Sequence, residues 1–113
     1  MTTIALIDKV RRLLQDTEDG NYHWTDPQLK ADLQTAVRAL HKERPETRYV
    51  DGNVIDCVLL PSDDSAEISI DPRYEDCLVY YAAYMAYSDD CTDPVSKQLA
   101  DDFLAKFNMF ARM

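Results

Sequence analysis

The histidines and cysteines are the residues of this chain whose types could do chemistry. The two histidines, His23 and His41, stand 18 positions apart, and neither belongs to an HExxH motif. The three cysteines, Cys57, Cys77 and Cys91, include no CxxC pair and are odd in number. This spacing argues against a zinc site and against a disulfide framework. We therefore expect ordinary thiols in a reducing compartment.

Motifs for catalysis are missing from the sequence. The chain has two glycines, Gly20 and Gly52, and neither a glycine-rich phosphate loop nor a nucleophile elbow. Adjacent carboxylates such as Asp63 and Asp64 are most often solvated. We interpret His41, which follows an apolar helical stretch, as a polar residue of the last helical turn that the helix dipole favours, and not as a general base. We expect no enzyme activity, no bound metal and no cofactor.

The charge of the chain is unevenly distributed. Its 113 residues, enough for one domain spanning 1–113, include 12 Lys plus Arg and 21 Asp plus Glu, a net charge of -9. Residues 1–50 hold 8 basic and 8 acidic side chains, whereas residues 51–113 hold 4 basic and 13 acidic ones. Such a balance argues against general nucleic-acid binding, which needs clustered Lys and Arg. Without a long apolar stretch or a signal sequence, we expect a soluble protein with no membrane partner that is not exported.

Apolar residues recur at helical spacing in four segments of the chain. Asp71-Pro72 and Asp93-Pro94 each place a capping Asp before a proline that suits the first helical turn, so two helices should begin there. The predicted helices cover about 3–16, 26–44, 72–89 and 94–111.

The start of the second helix has the most specific local signal. Thr25 can cap this helix, and Gln28 stands three residues later, as a capping box requires. Trp24 precedes the cap and can pack on Leu29 as a hydrophobic staple. These residues should anchor the second helix and fix its entry angle.

Between the second and third helices the pattern changes. Short strands are predicted at 49–50, 54–60 and 66–70, separated by Asp51-Gly52-Asn53 and by a polar loop. The sequence thus predicts a mainly α, four-helix domain with a small β-hairpin or irregular insert at about 48–70.

The third helix is rich in tyrosine. Its residues 77–87 carry no charge, and four tyrosines fall within eight positions. Three other helices and a short hairpin cannot easily cover such a helix, so part of it should face a partner. The alternative is a core helix without an interface. The residues predicted to act in an interface or in helix packing are Tyr80, Tyr84, Met85, Tyr87, Phe107 and Phe110.

In this order, Trp24-Thr25-Asp26, Tyr74-Glu75-Asp76 and the tyrosine pattern up to Tyr87-Ser88 resemble the head-tail connector, or portal adaptor, proteins of tailed bacteriophages. That family has a first helix, a W-[ST]-D helix start, a variable β-containing insert, a tyrosine-rich helix and a closing amphipathic helix. The insert here is shorter than in many relatives.

The resemblance implies a structural neck protein of the virion, made in the host cytoplasm. Its subunits would form a ring beneath the portal protein, dodecameric by family resemblance, and would dock the next neck or tail protein. The ring would continue the channel for passing DNA without binding a specific sequence. Acidic residues facing this channel would repel DNA.

Two other functions remain open at this point. A small acidic regulatory or binding module, such as a DNA-mimic inhibitor, would bind a basic partner with steep salt dependence. A small metal-dependent enzyme would use His23 or His41 with nearby carboxylates.

Overall fold

The computed structural model describes residues 1–16, 24–89 and 94–112. Within these residues it contains four α-helices and one two-stranded antiparallel sheet. The helices are α1 (Thr3–Leu14), α2 (Asp26–Glu43), α3 (Glu75–Asp89) and α4 (Pro94–Ala111), and the strands are β1 (Tyr49–Val50) and β2 (Asn53–Val54). The predicted mainly α, four-helix fold with a small hairpin is confirmed.

The first helix is two residues shorter than predicted. Thr2 caps its start, since the Thr2 hydroxyl accepts from the Ala5 backbone N–H at 3.2 Å. The helix ends at Leu14 because Gln15 takes the left-handed conformation, with φ of 57°. Asp16 therefore lies outside the helix, and its side chain is buried.

The second helix begins as predicted. The Thr25 hydroxyl accepts from the Gln28 N–H at 3.3 Å, and the Gln28 side chain accepts from the Thr25 N–H at 2.8 Å. This complete capping box satisfies two backbone donors at the start of the helix. The helix ends before Pro45, and a 3₁₀ turn at Pro45–Arg48 leads into the hairpin.

The third helix begins later than the predicted residue 72. Pro72–Tyr74 forms a 3₁₀ turn, and the α-helical bonds start at Glu75. Asp71 caps that turn, because its carboxylate accepts from the Arg73 N–H at 3.0 Å. The other predicted aspartate cap, Asp93, lies outside the described residues.

The insert between α2 and α3 contains one hairpin and not three strands. Asp51 and Gly52 have φ of 51° and 83°, the left-handed values that a tight two-residue hairpin turn requires. Of the strand predicted at 54–60, only Val54 belongs to a strand, which is β2 (Asn53–Val54). The prediction of a strand at 66–70 is wrong, because this segment forms one isolated β-bridge, between Thr2 and Glu67. The Ile70 N–H then donates to the Ile68 carbonyl at 2.8 Å, and this three-residue turn ends the extended run.

The core surrounds α3, which contacts each of the other three helices and α4 most extensively. Side chains of α1 and α2 cover one side of α3, and those of α4 cover another. Ile68 and Ile70 add to the core from the insert, so the predicted alternation of burial is present there without a strand. The fully buried large side chains include Leu6, Val10, Leu29, Leu33, Val37, Leu40 and Leu78.

Candidate interaction surface

Aromatic rings fill the contact between α3 and α4. The Tyr80 ring stacks on Phe110, with centroids 5.6 Å apart, and on Phe103, with centroids 6.1 Å apart. The Tyr81 ring meets Phe107 edge to face at 4.8 Å. Offset and edge-to-face pairs of this kind add to the free energy gained from burying the rings. We call the seven rings of this contact the aromatic layer: Tyr80, Tyr81, Tyr84, Tyr87, Phe103, Phe107 and Phe110.

The aromatic layer also reaches the start of α2. The Tyr87 ring stacks on Phe103, with centroids 5.9 Å apart, and forms an edge-to-face pair with Trp24, with centroids 5.7 Å apart. Leu29 is fully buried and Trp24 is half-buried against the same core. The tryptophan of the Trp-Thr-Asp segment and the last tyrosine of the α3 pattern therefore belong to one packed unit.

The chain covers α3 incompletely. Cys77, Leu78, Ala82, Ala83 and Ala86 are buried, and Phe107 of α4 is 2% exposed. Most of the residues predicted to act in an interface or in helix packing are only half-buried: Tyr80, Tyr84, Met85, Tyr87 and Phe110. These residues pack within the chain on one side and meet solvent on the other.

Burial changes the acidity of some groups in α3. It raises the pKa of the Tyr81 and Tyr87 hydroxyls above the ordinary tyrosine value. Burial is also the main cause of the raised pKa of the Cys77 thiol, with the nearby Asp76 carboxylate second. These groups stay protonated at neutral pH, so they act as packing groups and weak hydrogen-bond donors.

A buried arginine joins the end of α1 to the start of α2. The Arg11 guanidinium is buried and donates to the Asp16 carboxylate at 2.9 Å, to the Trp24 carbonyl at 2.9 Å and to the Asp26 carboxylate at 2.5 Å. Asp16 also accepts from the Trp24 N–H at 3.1 Å. Arginine suits this position because its planar fork can donate in several directions at once. We call Arg11, Asp16, Trp24 and Asp26 the Arg11 cluster.

Sequence reasoning missed the Arg11 cluster. A signal was present, since Arg11 lies on the apolar stripe of α1, four residues after Ile7 and three before Leu14. A charged residue at such a position is rarely buried without a partner. The pattern did not reveal which carboxylates would reach Arg11 from beyond the helix.

His41, in the last turn of α2, binds the insert. Its Nε2 accepts from the Val58 N–H at 3.0 Å, and its Nδ1 lies 2.6 Å from the Thr47 hydroxyl. That hydroxyl donates to the Arg44 carbonyl at 2.7 Å and can accept from Nδ1–H. The network requires a neutral imidazole. Burial, and secondarily the positive charge of Arg48, lowers the pKa of His41 below 6.5.

Two further polar side chains of α2 hold the same insert. Gln34 donates to the Val58 carbonyl at 2.9 Å and accepts from the Leu60 N–H at 2.8 Å. Lys30 donates to the Pro61 carbonyl at 3.0 Å. Lys30, Gln34 and His41 lie on one face of α2, so the insert runs antiparallel along that helix from Val58 onward.

The most exposed large apolar side chains lie away from α3, which the sequence did not predict. Val54 and Leu59 are each 69% exposed and Tyr49 is 62% exposed, all in the insert. Because Tyr49 and Val54 are cross-strand partners, their side chains project from the same face of the hairpin. A contiguous apolar pair of this kind suits contact with another surface.

In residues 1–16, 24–89 and 94–112, no three His, Cys, Asp or Glu side chains come together as a metal site. His23 and Cys91 lie outside these ranges. Among the helices of the same ranges, none is long and apolar enough to cross a membrane.

Comparison with known proteins gives no relative from which a role could be transferred. No family model matches the chain, and no curated protein or solved structure matches it.

Proposed function

We propose that this protein is a structural head-tail adaptor of a tailed bacteriophage, without catalytic activity. Copies of the chain assemble as a ring beneath the portal protein, extend the DNA channel and dock the next neck or tail protein. The site of action is the neck of the virion. In this role the protein contacts passing DNA without recognising its sequence.

One observation carries the proposal: the two segments of the family resemblance pack on each other. The Trp24 ring, from the Trp-Thr-Asp segment, lies edge to face with the Tyr87 ring of the α3 segment, with centroids 5.7 Å apart. Asp26 of the first segment is bound by Arg11 of α1. These residues therefore form one structural unit, which supports reading the separate motifs as parts of a single family pattern.

The half-buried side of α3 supports an assembling protein. Tyr84 lies in the middle of this helix, with its ring 5.3 Å from Tyr81, and it keeps part of its surface in contact with solvent. Tyrosine gives a large contact area with a polar end, which suits surfaces that are exposed before assembly and covered after it. The neutral first part and acidic second part of the chain could supply the two unlike faces of a ring contact.

The insert favours a second candidate, a small acidic binding module. Residues 49–71 carry six carboxylates and no Lys or Arg. Such a segment could imitate the charge of DNA for a basic partner. Binding by an acidic module should weaken steeply with added salt, whereas adaptor assembly rests mainly on apolar burial and should change less.

Assembly of the purified protein tests the adaptor proposal. Mass photometry and negative-stain electron microscopy should show rings with a central channel, either with the protein alone or after mixing with portal protein. Tyr84→Asp should abolish the rings because it places a charge on the half-buried face. Tyr84→Phe, the matched control, should keep them.

Helical circular dichroism separates the outcomes for Tyr84→Asp. A folded, monomeric variant supports the interface. An unfolded variant supports a purely internal role for Tyr84. A wild-type chain that stays monomeric with and without portal protein contradicts the adaptor proposal.

A further inference from the structure

A groove between α1 and α3 combines an apolar floor with a basic rim. It encloses about 270 Å³, and Leu13, Val79 and Tyr80 form its floor. Lys9 and Arg12, one turn apart on α1, form its rim. We call this depression the α1–α3 groove.

Two cations at or beside the α1–α3 groove, Arg12 and Lys106, have no carboxylate partner among the described residues. Lys9 pairs with Glu75 at 2.7 Å, and Asp76 lies at one end of the groove. Lys106 of α4 sits over the Tyr80 ring, 5.3 Å from its centroid. Over the described ranges, neither Arg12 nor Lys106 forms an ion pair. A positive rim is therefore present on a protein whose net charge is -9.

A second basic cavity shares Asp76 with the groove. This second depression, of about 290 Å³, lies where α3 begins and α4 ends, and Arg44 and Arg73 line it. Their nearest carboxylates are 3.6 Å and 3.8 Å away, so these pairs are loose. Asp76 lines both cavities, and each of them also has an arginine in its lining.

The insert has the complementary character. Its residues 49–71 contain six carboxylates and no basic side chain. Tyr49, Val54 and Leu59 expose more than half of their surface in this segment. Asp56, two residues after Val54, is fully exposed and lies 3.7 Å from Arg48, too far for a strong pair. Apolar side chains beside carboxylates match an apolar floor beside cations.

The insert is also presented in a fixed position. His41 and Gln34 bind its backbone at Val58 and Leu60, and the Lys30 ammonium lies 2.6 Å from the Asp64 carboxylate. Residues 58–64 of the insert are thus held by α2, and a docking surface that is already ordered loses little conformational entropy on binding.

We propose that the α1–α3 groove of one copy receives the insert of a second copy of this chain. The contact is heterologous, because the groove of each subunit meets a different surface, the insert, of the next. Repeated around an axis, it closes into a ring. The proposal rests on the adaptor function and names two further faces of its ring contact, in addition to the Tyr84 side of α3. Complementary charge should set the pairing and its orientation, and the apolar side chains should supply most of the affinity.

Charge exchange between the two surfaces tests this pairing. The groove variant is Arg12→Glu with Lys106→Glu, and the insert variant is Val54→Lys with Asp56→Lys. All four positions are solvent-accessible and serve no helix cap. The control is Lys42→Glu with Lys97→Glu, which makes the same charge change as the groove variant at exposed positions outside both surfaces.

Mass photometry and sedimentation velocity should give three results. The groove variant and the insert variant should each assemble at least about tenfold more weakly than wild type, because like charges then face each other. The control should assemble as wild type does. An equimolar mixture of the groove and insert variants should recover assembly, since each reversed surface then meets its opposite on the other chain.

The outcomes distinguish this proposal from the adaptor proposal. Wild-type rings with unaffected variants overturn the groove–insert pairing and leave the adaptor function standing. Folded variants that fail to assemble alone and also fail in the mixture overturn the pairing. If the equimolar mixture of the two variants forms only dimers, this supports the groove–insert pairing and contradicts a ring. A wild-type chain that is monomeric at every concentration overturns both.

Discussion

The contact of α3 with α4 and the contacts of α2 with the end of α1 and with the insert are built in opposite ways. The first relies on stacked and edge-to-face rings such as Tyr80 on Phe110. The second relies on buried polar groups: Arg11 meets the start of α2, and His41 near its end binds the insert. Ring packing gains free energy from area and tolerates small shifts. A polar contact stabilises only while each partner is in place, because an unpaired buried group costs more than its hydrogen bond gains.

Truncation of Phe107 should have the largest effect on stability. Phe107 is 2% exposed and its ring lies 4.8 Å from Tyr81, so Phe107→Ala removes a buried ring and leaves a cavity. We expect the free energy of unfolding to fall by about 4 kcal/mol. Urea titration followed by circular dichroism measures this loss.

Phe107→Leu is the matched control for that experiment. It keeps most of the apolar volume and should cost about 1 kcal/mol. If both variants lost the same free energy of unfolding, position 107 would depend on a specific ring contact. The aromatic layer would then not be stabilised mainly by its buried apolar area.

Replacement of Arg11 should have the next largest effect. Arg11→Met keeps an apolar stem of similar length but leaves the buried Asp16 carboxylate without this cation. We expect a loss of about 3 kcal/mol, because breaking a buried pair strands the remaining charge. Arg12→Met, at the exposed neighbouring position, should change the free energy of unfolding by less than about 0.5 kcal/mol.

A double variant sharpens the comparison. Adding Asp16→Asn to Arg11→Met removes the stranded charge, so the pair of changes should cost less than the sum of the two single changes. We expect a coupling free energy between the two substitutions of at least about 1 kcal/mol. Strict additivity would mean that Arg11 acts through packing alone, as the rings of α3 and α4 do.

The same contrast explains which parts of the molecule the sequence could predict. Helix positions follow from repeating spacing and from local caps, and the Thr25 and Gln28 capping box is formed by residues three apart. The wrong strand at 66–70 had the correct alternation of burial, but Ile68 pairs with Met1 through its N–H at 3.0 Å and not with a neighbouring strand. Local pattern indicates which side of a segment is buried; it does not identify the distant partner.

Some residues of the candidate interaction surface could be predicted from the sequence, and others could not. Tyr80 and Tyr84 stand out by their spacing and by the missing charges around them, so the sequence indicated them directly. The α1–α3 groove combines Lys9 and Arg12 with Val79, residues about 70 positions apart in the chain. Only the packing of α1 on α3 brings them together. Exposure of Tyr49 and Val54 depends likewise on which face of the hairpin turns to solvent.

The smallest predicted effect is the pH dependence contributed by His41. The unfolded chain takes up a proton on this imidazole at its ordinary pKa of 6.5. The folded protein takes it up only at lower pH, because burial and Arg48 lower the pKa of His41 and because Nε2 already accepts from the Val58 N–H. The stability from neutral His41 is therefore fully present above about pH 6.5 and is lost as the pH falls from there towards the folded pKa.

Denaturant titrations at about pH 7.5 and about pH 5.5 test this dependence. Between these two pH values the free energy of unfolding should fall more for wild type than for His41→Gln, which cannot titrate in this range. Lys42→Gln, one residue further along, should behave as wild type. An NMR titration that placed the His41 pKa at or above 6.5 would mean that the imidazole carries a charge against the insert, contrary to the hydrogen bond from Val58.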